Sequence, residues 1–143
     1  MKNPKFWIAV LVSGIVANVI DFVGQGQVLA SAYYSKIDSM RMDTKPIWYI
    51  IGDFVAVLIF AWVLDRVLTV FGNGWKAGAK AGFYLGVLVN FPSYHFIFLM
   101  FKGYPYRLAW INTIYGIVEC VIIGALLAAL MCKGAAEEAP AKS

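Results

Sequence analysis

The sequence predicts an all-α integral membrane protein, a four-helix up-down bundle with helices at about residues 6–33, 46–70, 75–101 and 107–132. Three observations predict it. Four apolar segments each exceed the roughly 20 residues that cross a hydrocarbon layer about 30 Å thick. Of the 143 residues, 62% are hydrophobic and 14% charged, whereas soluble domains average about 45–50% and about 25%. The links between segments are short and polar, which favours antiparallel neighbours. A mean hydropathy of +0.74 agrees. A soluble core of this size would have too little polar surface to cover it.

Each element has its own signals. Phe6–Ile20 is almost continuously apolar, and helical spacing continues through Asp21, Gln25 and Gln27 to about Tyr33. Residues 35–45 read as a polar loop, and Pro46 suits the first turn of the second helix. Phe71-Gly-Asn-Gly is a turn signal before the third helix. Lys102-Gly-Tyr-Pro-Tyr is a second short turn before the fourth. The domain is therefore a single transmembrane unit over 1–133, with a polar, flexible tail over 134–143. Trp7, Trp48, Trp75, Tyr104, Tyr106 and Trp110 fall near predicted helix ends, where aromatic rings line membrane interfaces.

Even helix number puts both termini on one side. Lys2, Lys5, Arg66, Lys76, Lys80, Lys133 and Lys142 lie on that side, and Lys36, Arg41, Lys45, Lys102 and Arg107 on the other. The excess predicts a multi-pass protein of the cell's inner membrane with cytoplasmic termini. Lys2, Lys5, the apolar run and Ala30-Ser31-Ala32 imitate a secretory signal, but Asp21, Gln25 and Gln27 make the intervening region too long and polar for one.

The stretch 78–95 is the candidate packing centre. Gly78, Gly82, Gly86 and Asn90 recur every fourth residue and form one stripe on a helix. In water each such glycine costs about 0.8–1 kcal/mol against alanine, but in lipid a small-residue stripe lets two helices approach closely. Pro92 removes a backbone donor and predicts a kink. His95, the only histidine, follows within a turn.

Ionisable and polar groups inside spans are the candidate ligand- or proton-binding residues. The first helix offers Asn18, Asp21 and Gln25 on the face of Gly14; the second offers Asp53. The third offers Asn90, Tyr94 and His95; the fourth offers Asn112, Tyr115 and Glu119 at i, i+3 and i+7. At 1.5 Å per residue, Asp21 lies roughly 22 Å from Phe6, Asp53 roughly 10 Å into the second helix, His95 roughly 9 Å before Phe101 and Asn112 roughly 8 Å into the fourth. These four share a depth in the membrane half away from the termini, with Asn18, Asn90 and Glu119 nearer the middle. The expectation is an inward polar pocket. The alternative for each residue is plain helix-to-helix hydrogen bonding, worth about 0.6–2 kcal/mol per contact.

No cofactor or metal is expected, because no two candidate ligands are paired at i, i+3 or i+4 on one helix. The hydrolase elbow, zinc-protease, phosphate-loop and dinucleotide motifs are missing. Cys120 and Cys132 sit on one helix about 18 Å apart and cannot bridge each other. No basic run supports nucleic-acid binding. The expected partners are the lipid bilayer and a second copy or other membrane subunits, with the glycine face as a route to self-association.

The runs Trp48…Gly52-Asp53-Phe54-Val55-Ala56, Gly86-Val-Leu-Val-Asn-Phe-Pro92 and Tyr104-Pro105…Leu108-Ala-Trp110…Tyr115-Gly-Ile-Val…Ile123-Gly124-Ala125 resemble small bacterial four-span integral membrane proteins of domain-of-unknown-function type. The resemblance implies a four-span membrane protein and no particular activity. Such proteins often carry a histidine in the 24–28 region where this chain has Gln25 and Gln27, which weakens any carried-over metal site. The leading functional expectation is a non-enzymatic protein that binds a small ligand or ion in the pocket, or serves as a subunit of a larger membrane assembly. The alternative is a proton-coupled oligomeric transporter or channel using Asp21, Asp53, His95 and Glu119. An intramembrane enzyme would need a nucleophile or metal beside these groups.

Overall fold

The computed structural model describes residues 3–38 and 43–132. Lys2, Arg41, Lys133, Lys142 and the expected tail over 134–143 lie outside the described residues. The described chain is all-α. Helix α1 spans Pro4–Val23 and continues through a π-helical stretch, Gly24–Leu29, into a single turn, Ala30–Ala32. Helices α2 (Pro46–Phe71), α3 (Trp75–Met100) and α4 (Tyr106–Cys132) follow. All four spans, the first counted over Pro4–Lys36, are long and apolar enough to cross a membrane.

Local chemistry sets the ends. The Asn3 side chain accepts a hydrogen bond from the Lys5 backbone N–H at 3.1 Å, capping α1 ahead of Pro4. Pro46 opens α2 at its first position, where a missing N–H costs nothing. Gly72 and Gly74 take positive φ in the turn between α2 and α3, and Gly103 does so between α3 and α4. These are the turns the glycines at 72, 74 and 103 predict.

Helix α3 is continuous through Pro92 to Met100, and a π-helical stretch follows in the first span after Val23. There Gly24 and Gly26 lower helix propensity, and an extra residue enters the turn as a π-bulge does. Trp7, Trp48 and Trp75 are exposed, whereas Tyr104 is only 9% exposed and packs with Leu108 and Ala109.

Helices α3 and α4 make by far the closest pairing, while α1 packs on α2 and α4. The reason is legible atom by atom. A Cβ on Gly78 would fall on the carbonyl oxygen of Gly124, one on Gly82 would fall on the Cys120 carbonyl, and one on Gly86 would press on Ile117 and Cys120. The relation is reciprocal, since a Cβ on Gly124 would meet the Gly78 carbonyl. The two backbones touch in antiparallel register. The stripe Gly78, Gly82, Gly86 is thus a packing face, and α4 of the same chain covers it. An apolar core of Val57, Ala61, Leu64, Ile123, Leu127 and neighbours fills the end nearer the chain termini.

Gly82→Leu is expected to lower unfolding free energy by more than the about 1–3 kcal/mol usual for overpacking, because the obstruction is backbone. Gly52→Leu, where nothing lies within 4 Å, should leave the melting temperature in detergent, followed by circular dichroism, close to that of the parent.

Candidate functional site

Carboxyl groups from three helices converge on one cavity of about 410 Å³. Asp21 comes from α1, Asp53 from α2 and Glu119 from α4, joined by Asn90 of α3 and Cys120 of α4. The remaining walls are apolar, among them Ala17, Val57, Phe60, Leu85 and Ile123. Among the described residues, no Lys, Arg or His lines the cavity.

Each acid is positioned differently. The Tyr115 hydroxyl donates to the Ile20 carbonyl at 2.8 Å and stands 3.1 Å from Asp21 Oδ1, fixing that carboxyl from the α4 side. Its ring fits because residue 24 is glycine; a Cβ there would overlap the phenol. Asp53 borders the same cavity from α2. Glu119 has no hydrogen-bond partner among the described residues and faces the cavity one helix away. Asn90 donates to the Gly86 carbonyl at 2.9 Å and lies 3.9 Å from Cys120 Sγ, with Gly116 leaving room for its amide.

A second polar cluster sits toward the loop side. Asn112, 1% exposed, donates from Nδ2 to the Tyr104 hydroxyl at 2.7 Å. Its Oδ1 is 3.0 Å from the Tyr34 hydroxyl, which also bonds Gln25 Oε1. One asparagine therefore ties the α3–α4 turn, α4 and the π-helical stretch of α1 together. Burial pushes the Tyr104 phenol above its usual range, so it serves as a neutral hydroxyl. Tyr94 packs beside Tyr104, Leu108 and Ala109.

The structure thus divides the ten candidate residues. Asp21, Asp53, Asn90 and Glu119 line the cavity, and Tyr115 holds Asp21. Gln25 and Asn112 belong to the loop-side cluster, with Tyr94 packed beside it. Asn18 bonds its own helix, donating to the Gly14 carbonyl at 2.9 Å. His95 does not join the acids. Its ring stacks on Phe91 at 4.4 Å and meets Trp110 edge-on at 4.8 Å, while Nδ1 lies 2.8 Å from the Phe91 carbonyl. The reason is helical phase: Asn90 lines the cavity, and a residue five positions on points about 140° away from it. Equal depth did not imply a shared face.

Tyr34, Cys120 and the small-residue face of α4 escaped the sequence reading. Gly116, Cys120, Gly124 and Ala128 do recur every fourth residue, the same signal that marks α3. Tyr34 carried no such signal, because its approach to Gln25 depends on the π-helical turn.

Four apolar helices around an acid-lined cavity define a membrane-protein bundle rather than a soluble four-helix domain. The chain belongs to the family described as "Protein of unknown function (DUF1761)", whose model matches residues 8–128. It matches no curated protein and no solved structure.

Asn112→Leu keeps the volume but removes the partner of the Tyr104 hydroxyl and one of the two acceptors of the Tyr34 hydroxyl. It is expected to cost about 1–3 kcal/mol in unfolding by denaturing detergent, and Tyr34→Phe about 0.6–2 kcal/mol.

Proposed function

We propose that this chain is a multi-pass protein of a bacterial inner membrane, both termini cytoplasmic, that binds a small ligand or ion in the cavity of Asp21, Asp53, Asn90 and Glu119. One observation carries the reading: three carboxyl groups on three helices border one open space, with no basic side chain among the described residues lining it. Carboxylates facing lipid or one another in a low-dielectric interior are costly, so a protein that keeps them around a cavity has a use for that charge. The excess of Lys and Arg on the terminal side supports the orientation. Four spans make a thin bundle, and association with a second copy or with other membrane subunits is part of the proposal. Such association uses a surface other than Gly78, Gly82 and Gly86, which α4 already covers.

The test is a split between stability and retention of bound material. Glu119→Gln is expected to leave the melting temperature within about 2 °C, since no protein hydrogen bond is lost. Native mass spectrometry from lipid nanodiscs should then show a small non-lipid mass on the parent and none on the variant. If Glu119→Gln, Asp53→Asn and Asp21→Asn merely lower the melting temperature, the acids are helix fasteners and the reading fails.

A second reading, proton-coupled transport by an oligomer, is favoured by the three carboxyl groups bordering one cavity, since neighbouring acids make one another easier to protonate. It predicts that Asp21→Asn and Asp53→Asn, while still folded, abolish a proton-linked flux in proteoliposomes loaded with a pH-sensitive dye. His95, outside the cavity, should tolerate replacement by Phe in the same assay.

A further inference from the structure

We infer that the occupant of this cavity is a lipophilic organic cation, an ammonium centre carried on an apolar body, which enters from the hydrocarbon through the gap between α2 and α3. The inference rests on the ligand-pocket reading above and names the ligand class of that same site.

The place of the opening comes first. Ile59 of α2 and Val89 of α3 both line the cavity, yet they are 58% and 57% exposed. They form its rim. Each lies near the middle of a 26-residue helix, so the mouth opens at mid-membrane depth, toward acyl chains rather than water. The gap exists because α2 meets α3 far less closely than α4 does. A ligand using this mouth must first dissolve in lipid, which requires an apolar body.

The chemistry of the walls then selects charge. Inside the mouth the surface is apolar except for Asp21, Asp53 and Glu119, with Asn90 and Cys120 beside them. A cationic centre compensates the carboxylates that Lys, Arg and His do not. Phe60 adds a ring face that attracts a cation. A bare inorganic ion is a poor fit on two counts. Among the described residues no group of three metal-ligating side chains comes close enough to hold one. The space, about 410 Å³, falls in the range of about 300–1,000 Å³ typical of small-molecule sites. An anionic amphiphile would be repelled by carboxyl groups of like charge, and a neutral one would leave them uncompensated.

The experiment compares two probes of nearly the same shape, benzyltrimethylammonium and its uncharged carbon analogue neopentylbenzene. Tritiated forms are equilibrated with the full chain in nanodiscs of phosphatidylcholine alone, and the signal from empty nanodiscs is subtracted. The ammonium compound should bind saturably and the neutral analogue should not. Glu119→Gln should weaken the cation roughly tenfold or more, as expected when one partner of a desolvated charge pair is removed. Asp53→Asn should act in the same direction, and Glu119→Asp should retain most of the affinity. Equal binding of both probes, or an affinity for the cation untouched by Glu119→Gln and Asp53→Asn, overturns the inference while leaving a ligand pocket. Absence of saturable binding by the cation also overturns it, and the pocket reading is then decided separately by the stability comparison of the carboxyl variants.

Discussion

The closeness of α3 to α4 is the constraint on which the rest of the structure depends. Gly78, Gly82 and Gly86 on one helix and Gly124 on the other allow backbone to rest on backbone, and Gly116 admits the Asn90 amide. In lipid there is little hydrophobic gain from pairing two apolar helices, so dispersion at short range has to hold them. This contact fixes the rotation of both helices. With α3 turned so that its glycines meet α4, Asn90 is carried onto Gly116 and Cys120. Glu119, next to Cys120, is directed to the side where α1 and α2 present Asp21 and Asp53.

The same contact leaves space elsewhere. Small residues draw α3 toward α4, and α2 does not follow, so the bundle is tight on one side and loose on the other. The looser side is the cavity. On α3 the glycine stripe that closes on α4 runs on into Asn90, and with Leu85 and Val89 beside it borders the acid-lined opening whose rim is Ile59 and Val89.

The loop-side cluster has a different task. Asn112 joins the α3–α4 turn, through Tyr104, to the π-helical end of α1, through Tyr34 and Gln25. A π-helical turn is a weak place in a helix, and here it is braced from outside by one buried amide. Gly24 shares in this, because its missing side chain admits the Tyr115 ring that orients Asp21. The irregular segment is therefore coupled through Tyr115 to the acid that lines the cavity.

What the sequence by itself determined was hydrophobic length and the chemistry available. Four apolar runs, Pro46 and the glycines at 72, 74 and 103 are local signals, and local signals fix spans and turns. The spacing of Gly78, Gly82 and Gly86 identified a packing face, and the depth of Asp21 and Asp53 brought them to one level. Depth follows from counting residues, since the rise per residue is constant. Only the tertiary structure decided which of these groups face each other. Rotation about a helix axis is set by the partner helix, not by the helix's own sequence. Asn90 and Glu119 consequently join the acids, while His95 turns into a cage of Phe91 and Trp110. The π-helical turn likewise shifts every later residue of the first span, so the meeting of Tyr34 with Gln25 and Asn112 followed from packing rather than from periodicity.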